Sequence, residues 1–79
     1  MFTVYAIKSQ VKNYIYVGMT SDLSDRLNRH NSGYEKTTKP YAPFELIFKI
    51  EKLTRAEARA EEKKLKTTSG KRYLRSLIK

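Results

Sequence analysis

Seventy-nine residues make one domain's worth of chain, residues 1–79, small enough that well-matched local structure has to supplement a single core. The sequence has no cysteine and one histidine, His30. Disulfides, thiolate metal sites and a cluster of histidines are thereby excluded, and any metal must be a hard cation held by oxygen. The formal charge is +9 and unevenly placed: residues 55–79 carry nine Lys or Arg against three Glu, and residues 1–54 carry eight against five. A basic C-terminal third points to a polyanion, nucleic acid first, with a solvated helical surface as the plain alternative.

The chain opens on Phe2, Val4 and Ala6 alternating with Thr3, Tyr5 and Ile7, the period-two pattern of a strand. No basic stretch followed by a long apolar run precedes it, so it does not read as a signal peptide, and no segment has the length of a membrane span. A cytoplasmic protein is expected. Tyr14 to Val17 is rich in aromatic and β-branched residues and reads as a second strand. With Ser9-Gln10-Val11-Lys12 as a four-residue hairpin loop, residue i faces residue 21 minus i, and Tyr5 falls opposite Tyr16. Two phenols would then share one sheet face.

After Gly18, Thr20-Ser21-Asp22 supplies candidate N-caps for a helix with Leu23, Leu27 and His30 at i, i+4 and i+7. It ends near Asn31-Ser32-Gly33. A polar loop to Pro43 follows, and the alternation of Phe44, Leu46, Phe48 and Ile50 predicts a third strand. Thr54 and Glu57 form a capping box, with Leu53 and Ala58 placed as a hydrophobic staple, for a helix running to about Thr67 or Thr68. Ser69-Gly70 should break it. Tyr73, Leu74, Leu77 and Ile78 then suggest a short final helix on the same core.

Three polar side chains fall near these apolar stripes. With Ala58 at the centre of its helix's buried stripe, Leu65 lies ~20 degrees to one side and Glu62 ~40 degrees to the other, at ~100 degrees per residue. A carboxylate there needs a cation or a hydrogen-bond network, unless it only pairs with Lys66 one turn on. Arg26 and His30 flank the Leu23 and Leu27 stripe. The arginine can offer its fork to a phosphate or simply pair with Asp22, and the histidine can move a proton or be a satisfied buried ring. Each tyrosine taken singly is a packing residue with a polar tip. Two phenols, an arginine, a histidine and a carboxylate converging on one face can handle a phosphodiester, with a metal on the carboxylate and the arginine on the phosphate.

The ordered set Val4-Tyr5-Ala6, Tyr16-Val17-Gly18, Arg26, His30 and Glu62 resembles the GIY-YIG endonuclease family, and more narrowly its small stand-alone URI-type members, related to the nuclease module of the excision-repair nuclease. The resemblance covers nearly the whole chain. It implies an α/β fold, a three-stranded antiparallel sheet flanked by helices in the order β-β-α-β-α-α, and a DNA endonuclease that nicks with low sequence specificity. It further implies one divalent ion, magnesium or manganese, on Glu62. Tyr5 or Tyr16 would be the general base, Tyr5 being favoured and Tyr16 positioning water or phosphate. Arg26 would hold the scissile phosphate, and His30 would assist proton transfer or bind phosphate. Lys36, Lys39, Lys66, Lys71 and Arg72 would track the DNA backbone, in a monomer or weak dimer needing no membrane and no small-molecule cofactor. The chain departs from the family pattern at the first motif, where only Tyr5 matches clearly. It departs again at Met19, where some members carry lysine, and after the metal-binding helix, where Thr67-Thr68-Ser69-Gly70-Lys71 offers no asparagine. Those departures leave two rivals: a nucleic-acid-binding module that keeps the fold without cutting, and a protein-interaction domain whose tyrosines are core.

Overall fold

The alternating N-terminal segment forms the middle of the sheet. A computed structural model describes residues 1–78. It runs β1 (Phe2–Ser9), β2 (Ile15–Thr20), α1 (Leu23–Asn31), a single 3-10 turn (Lys39–Tyr41), β3 (Phe44–Lys52), α2 (Arg55–Leu65) and α3 (Thr68–Ser76). The strand order is β2-β1-β3 and both pairings are antiparallel. This is the α/β arrangement the sequence implies.

Because β1 is central and its side chains alternate, it feeds two cores. Val4 and Ala6 pack with Val17, Ala58, Leu65 and Leu74 on the face covered by α2 and α3. Tyr5 and Ile7 pack with Phe44, Tyr16, Leu23, Leu27 and Tyr41 on the face covered by α1 and the segment after it. That segment, expected to be a plain loop, is tied down at several points. The Asn31 side-chain carbonyl accepts the Phe44 N–H at 2.7 Å and the Ser9 hydroxyl donates to the Tyr41 carbonyl at 2.6 Å. Tyr14 stacks on Tyr41 with ring centroids 3.9 Å apart.

Four local expectations are corrected. The hairpin pairs residue i with 23 minus i, so Tyr5 faces Gly18 and Tyr16 faces Ile7. The cause is Ser9, which ends β1 and whose hydroxyl accepts the Val11 and Lys12 N–H groups at 3.2 and 3.0 Å, building a turn inside a longer loop. A slip of two residues preserves the face, and the tyrosines remain diagonal neighbours. The capping box forms, with the Thr54 hydroxyl accepting the Glu57 N–H at 3.1 Å. Leu53, however, is 76% exposed and staples nothing. Helix α2 stops at Leu65, short of Thr67, where the Thr67 side chain caps α3 by accepting the Gly70 N–H. Gly70 lies inside α3 and breaks nothing: a Cβ there would sit 2.6 Å from the Leu65 Cα, so glycine lets α3 close against the end of α2.

Candidate active site

Tyr5 stands at the centre of the face covered by α1, wholly buried at 0% exposure. Its hydroxyl is 2.9 Å from His30 Nε2. His30 reaches it because the cap Asp22, which accepts the Asp25 N–H at 3.1 Å, starts α1 in the phase that turns Leu23, Leu27 and His30 toward the sheet. The imidazole is 1% exposed, and its Nδ1 is 2.8 Å from the Thr38 hydroxyl oxygen, also buried at 1%. Thr38 Oγ1 in turn donates to the Glu35 carbonyl at 3.4 Å. Tyr16 lies beside both rings, its centroid 6.3 Å from Tyr5 and 5.0 Å from His30, and it is half-buried rather than closed off.

Gly18 explains why a glycine belongs between β2 and this cluster. A Cβ there would stand 2.7 Å from the Tyr5 hydroxyl oxygen and 3.0 Å from a Tyr16 ring carbon. Gly18→Ala is therefore expected to displace both phenols and cost about 1–3 kcal/mol of stability by overpacking. Thermal unfolding of that variant measures it, and an unchanged midpoint would contradict the close fit.

The electrostatics join the remaining groups. Burial pushes the Tyr5 phenol well above the usual tyrosine range. Tyr16 adds to the rise, Arg26 opposes it, and Glu35 and then Glu62 add smaller increments. Burial lowers the His30 pKa, Glu35 works against that fall and Arg26 reinforces it. The charge of Arg26 thus acts on both groups, and among the described residues it makes no ion pair with Asp22 or any other carboxylate. Glu62 is different. Its side chain is 16% exposed and bonded to Lys66 at 3.2 Å, with Arg59 at 3.9 Å. The expected convergence of all five groups on one face is corrected: α2 packs on the Val4 and Ala6 face of the sheet and α1 on the Tyr5 face, and among the described residues Glu62 makes no hydrogen bond to the phenols or His30.

A groove runs from Tyr16 along the outer edge of β2 to α3, lined by Tyr14, Lys66, Lys71 and Arg75. Arg75 donates to the Asn13 side-chain oxygen at 2.7 Å, fastening α3 to the hairpin loop. Of the cations expected to track a backbone, Lys66 and Lys71 line this groove. Lys36, Lys39 and Arg72 are exposed elsewhere, Lys39 running past Gly33. Arg75, Asn13 and Thr38 were not legible as site residues: Arg75 sits four residues after Lys71, a helical spacing that signals the shared face, whereas a threonine in a polar segment carries no signal.

The GIY-YIG catalytic-domain model matches residues 1–74 of the sequence. The chain belongs to the GIY-YIG family. No curated protein and no solved structure matches it. The GIY-YIG family is one of endonucleases and generally depends on a divalent metal, and DNA is the substrate that such a domain implies. Among the described residues no helix is long and apolar enough to cross a membrane, and no three His, Asp or Glu side chains gather as a metal cluster. A lone, largely buried carboxylate still fits a hard divalent ion that keeps most of its shell as water and phosphate oxygens. Its two cationic partners, Lys66 and Arg59, are each more than half exposed and free to swing away. Met19, in the position of the family's occasional lysine, pairs across from Val4 and packs with the α2 and α3 core, so it supplies packing and no charge.

Proposed function

We propose that the chain is a metal-dependent DNA endonuclease that nicks one strand per encounter with low sequence specificity. The observation that carries this reading is the 2.9 Å hydrogen bond between the buried Tyr5 phenol and the buried His30 imidazole, with Arg26, which makes no ion pair among the described residues, acting on both through its charge. Magnesium or manganese on Glu62 would supply charge neutralisation for the phosphate and the departing oxygen. Arg26 binds the scissile phosphate through its fork. Tyr16, the accessible phenol, orients water or phosphate at the mouth of the groove.

A desolvated phenol with a raised pKa is a poor phenolate, which at first sight argues against Tyr5 as base. The His30 bond resolves this. As water oxygen attacks phosphorus and the ester P–O bond breaks, the water proton passes to the Tyr5 oxygen while the Tyr5 proton passes to His30 Nε2. Tyr5 stays neutral throughout and His30 is the net acceptor. This route requires the face around Tyr16 to open when substrate binds, because the Tyr5 hydroxyl that must meet the water is closed off in the free protein. The DNA backbone continues along the β2 edge over Lys66, Lys71 and Arg75, with Lys36, Lys39 and Arg72 as outlying phosphate contacts. Contacts of this kind position a duplex without reading bases.

The sign of the pH dependence follows. The acceptor has to be unprotonated, and burial holds the His30 pKa below the ordinary value of about 6.5. Cleavage should therefore hold to lower pH than an ordinary histidine allows, and fall only as the solution is acidified further. A pH profile of the nicking rate checks this, and a limb centred above about 7 would contradict it.

The double pairing of Glu62 with Lys66 and Arg59 favours one rival, a binding module that no longer cuts. Incubating supercoiled and single-stranded DNA with the protein, with and without magnesium, separates the two. The nuclease reading expects magnesium-dependent nicking. Magnesium-independent binding with no product is the result of the rival.

A further inference from the structure

Tyr5, His30 and Thr38 form a chain of three buried polar groups, and its hydrogens can be counted. Each group brings one: the Tyr5 phenol, the single N–H of a neutral imidazole and the Thr38 hydroxyl. If the ring proton sits on Nε2, that N–H donates to the Tyr5 oxygen and Thr38 donates to Nδ1. The Tyr5 hydrogen then has no acceptor, at a residue with 0% exposure whose hydroxyl bonds only to His30 among the described residues. If the proton sits on Nδ1, every hydrogen is used. Tyr5 donates to Nε2 at 2.9 Å, Nδ1–H donates to Thr38 Oγ1 at 2.8 Å, and Thr38 donates to the Glu35 carbonyl at 3.4 Å. A buried unpaired hydroxyl costs about 1–3 kcal/mol, enough to decide between the two arrangements.

We propose that Thr38 is a positioning residue for the cleavage reaction, fixing His30 in its Nδ1–H tautomer so that Nε2 is held open for the Tyr5 proton. This rests on the nuclease reading. Thr38 lies just ahead of the 3-10 turn, so the tautomer depends on how the segment between α1 and β3 is anchored at Asn31, Ser9 and Tyr41. The other rings against it are Tyr16 and Phe44, and the charges that act on it are those of Glu35 and Arg26. Among the described residues, Thr38 is the one side chain that bonds to Nδ1.

The sequence offers an unusually clean readout, since His30 is the one histidine and its ring nitrogens give unambiguous 15N NMR signals. At neutral pH the wild type should show Nδ1 protonated and Nε2 bare. Thr38→Ser should keep that pattern and the cleavage rate. Thr38→Val should move proton density to Nε2 and slow cleavage about tenfold or more. A wild-type ring protonated at Nε2 overturns the proposal even if the valine variant fails to fold. So does a folded Thr38→Val protein with an unchanged ring and an unchanged rate. A ring protonated at Nδ1 in a wild type that cuts no DNA would instead sink the nuclease reading, leaving the hydrogen-bond order standing.

Discussion

Tyr5→Phe should lower the rate of DNA nicking by about 100- to 10,000-fold, the range of a general base and its relay, while DNA binding stays near the wild-type level. The phenol makes no contact with the groove that carries Lys66, Lys71 and Arg75, so its loss removes proton transfer and leaves backbone attraction intact. The substitution also strips His30 Nε2 of its partner. A stability loss of about 1–3 kcal/mol accompanies it, and rates are best compared at a temperature where thermal unfolding shows both proteins folded. Near-wild-type nicking by the folded variant would take Tyr5 out of the chemistry and pass the role to Tyr16.

Glu62→Gln should abolish metal-dependent cleavage, by at least about 100-fold, without weakening DNA binding. Removing the carboxylate releases Lys66 and Arg59 from their pairing and makes an already cationic protein one charge more positive, so affinity for DNA should hold or rise. Stability should barely change, because both partners are largely exposed and such pairs contribute little. Single-turnover cleavage measured alongside binding, each with and without magnesium, separates the two effects. Equal loss of binding and cleavage would recast Glu62 as part of the DNA-binding surface and remove it from the ion site.

The sharing of one face by Tyr5 and Tyr16 was legible because strand periodicity is two, and a hairpin error of two residues cannot change a face. The error itself came from Ser9. Its hydroxyl folds the loop back on two N–H groups, a local bond that competes with strand pairing and leaves no mark in hydrophobic pattern. Glu62 was legible from helical phase, and so was its pairing with Lys66, since four residues span one turn. Gly70 was misread as a break because close approach between two helices, which only the packed structure reveals, calls for the same residue as a helix end does. Thr38 was invisible for a related reason: its burial is created by the segment after α1 closing on the sheet, a tertiary event without periodicity. Arg26 was equally open to a phosphate or to Asp22, and the described residues show no such pair.

The most direct test is conversion of supercoiled plasmid to nicked circles by the wild type and by Glu62→Ala, side by side in the same magnesium buffer and again after chelation. The account predicts nicking by the wild type that stops on chelation, and none by the variant even where it binds the same DNA. Equal nicking by both proteins would contradict it.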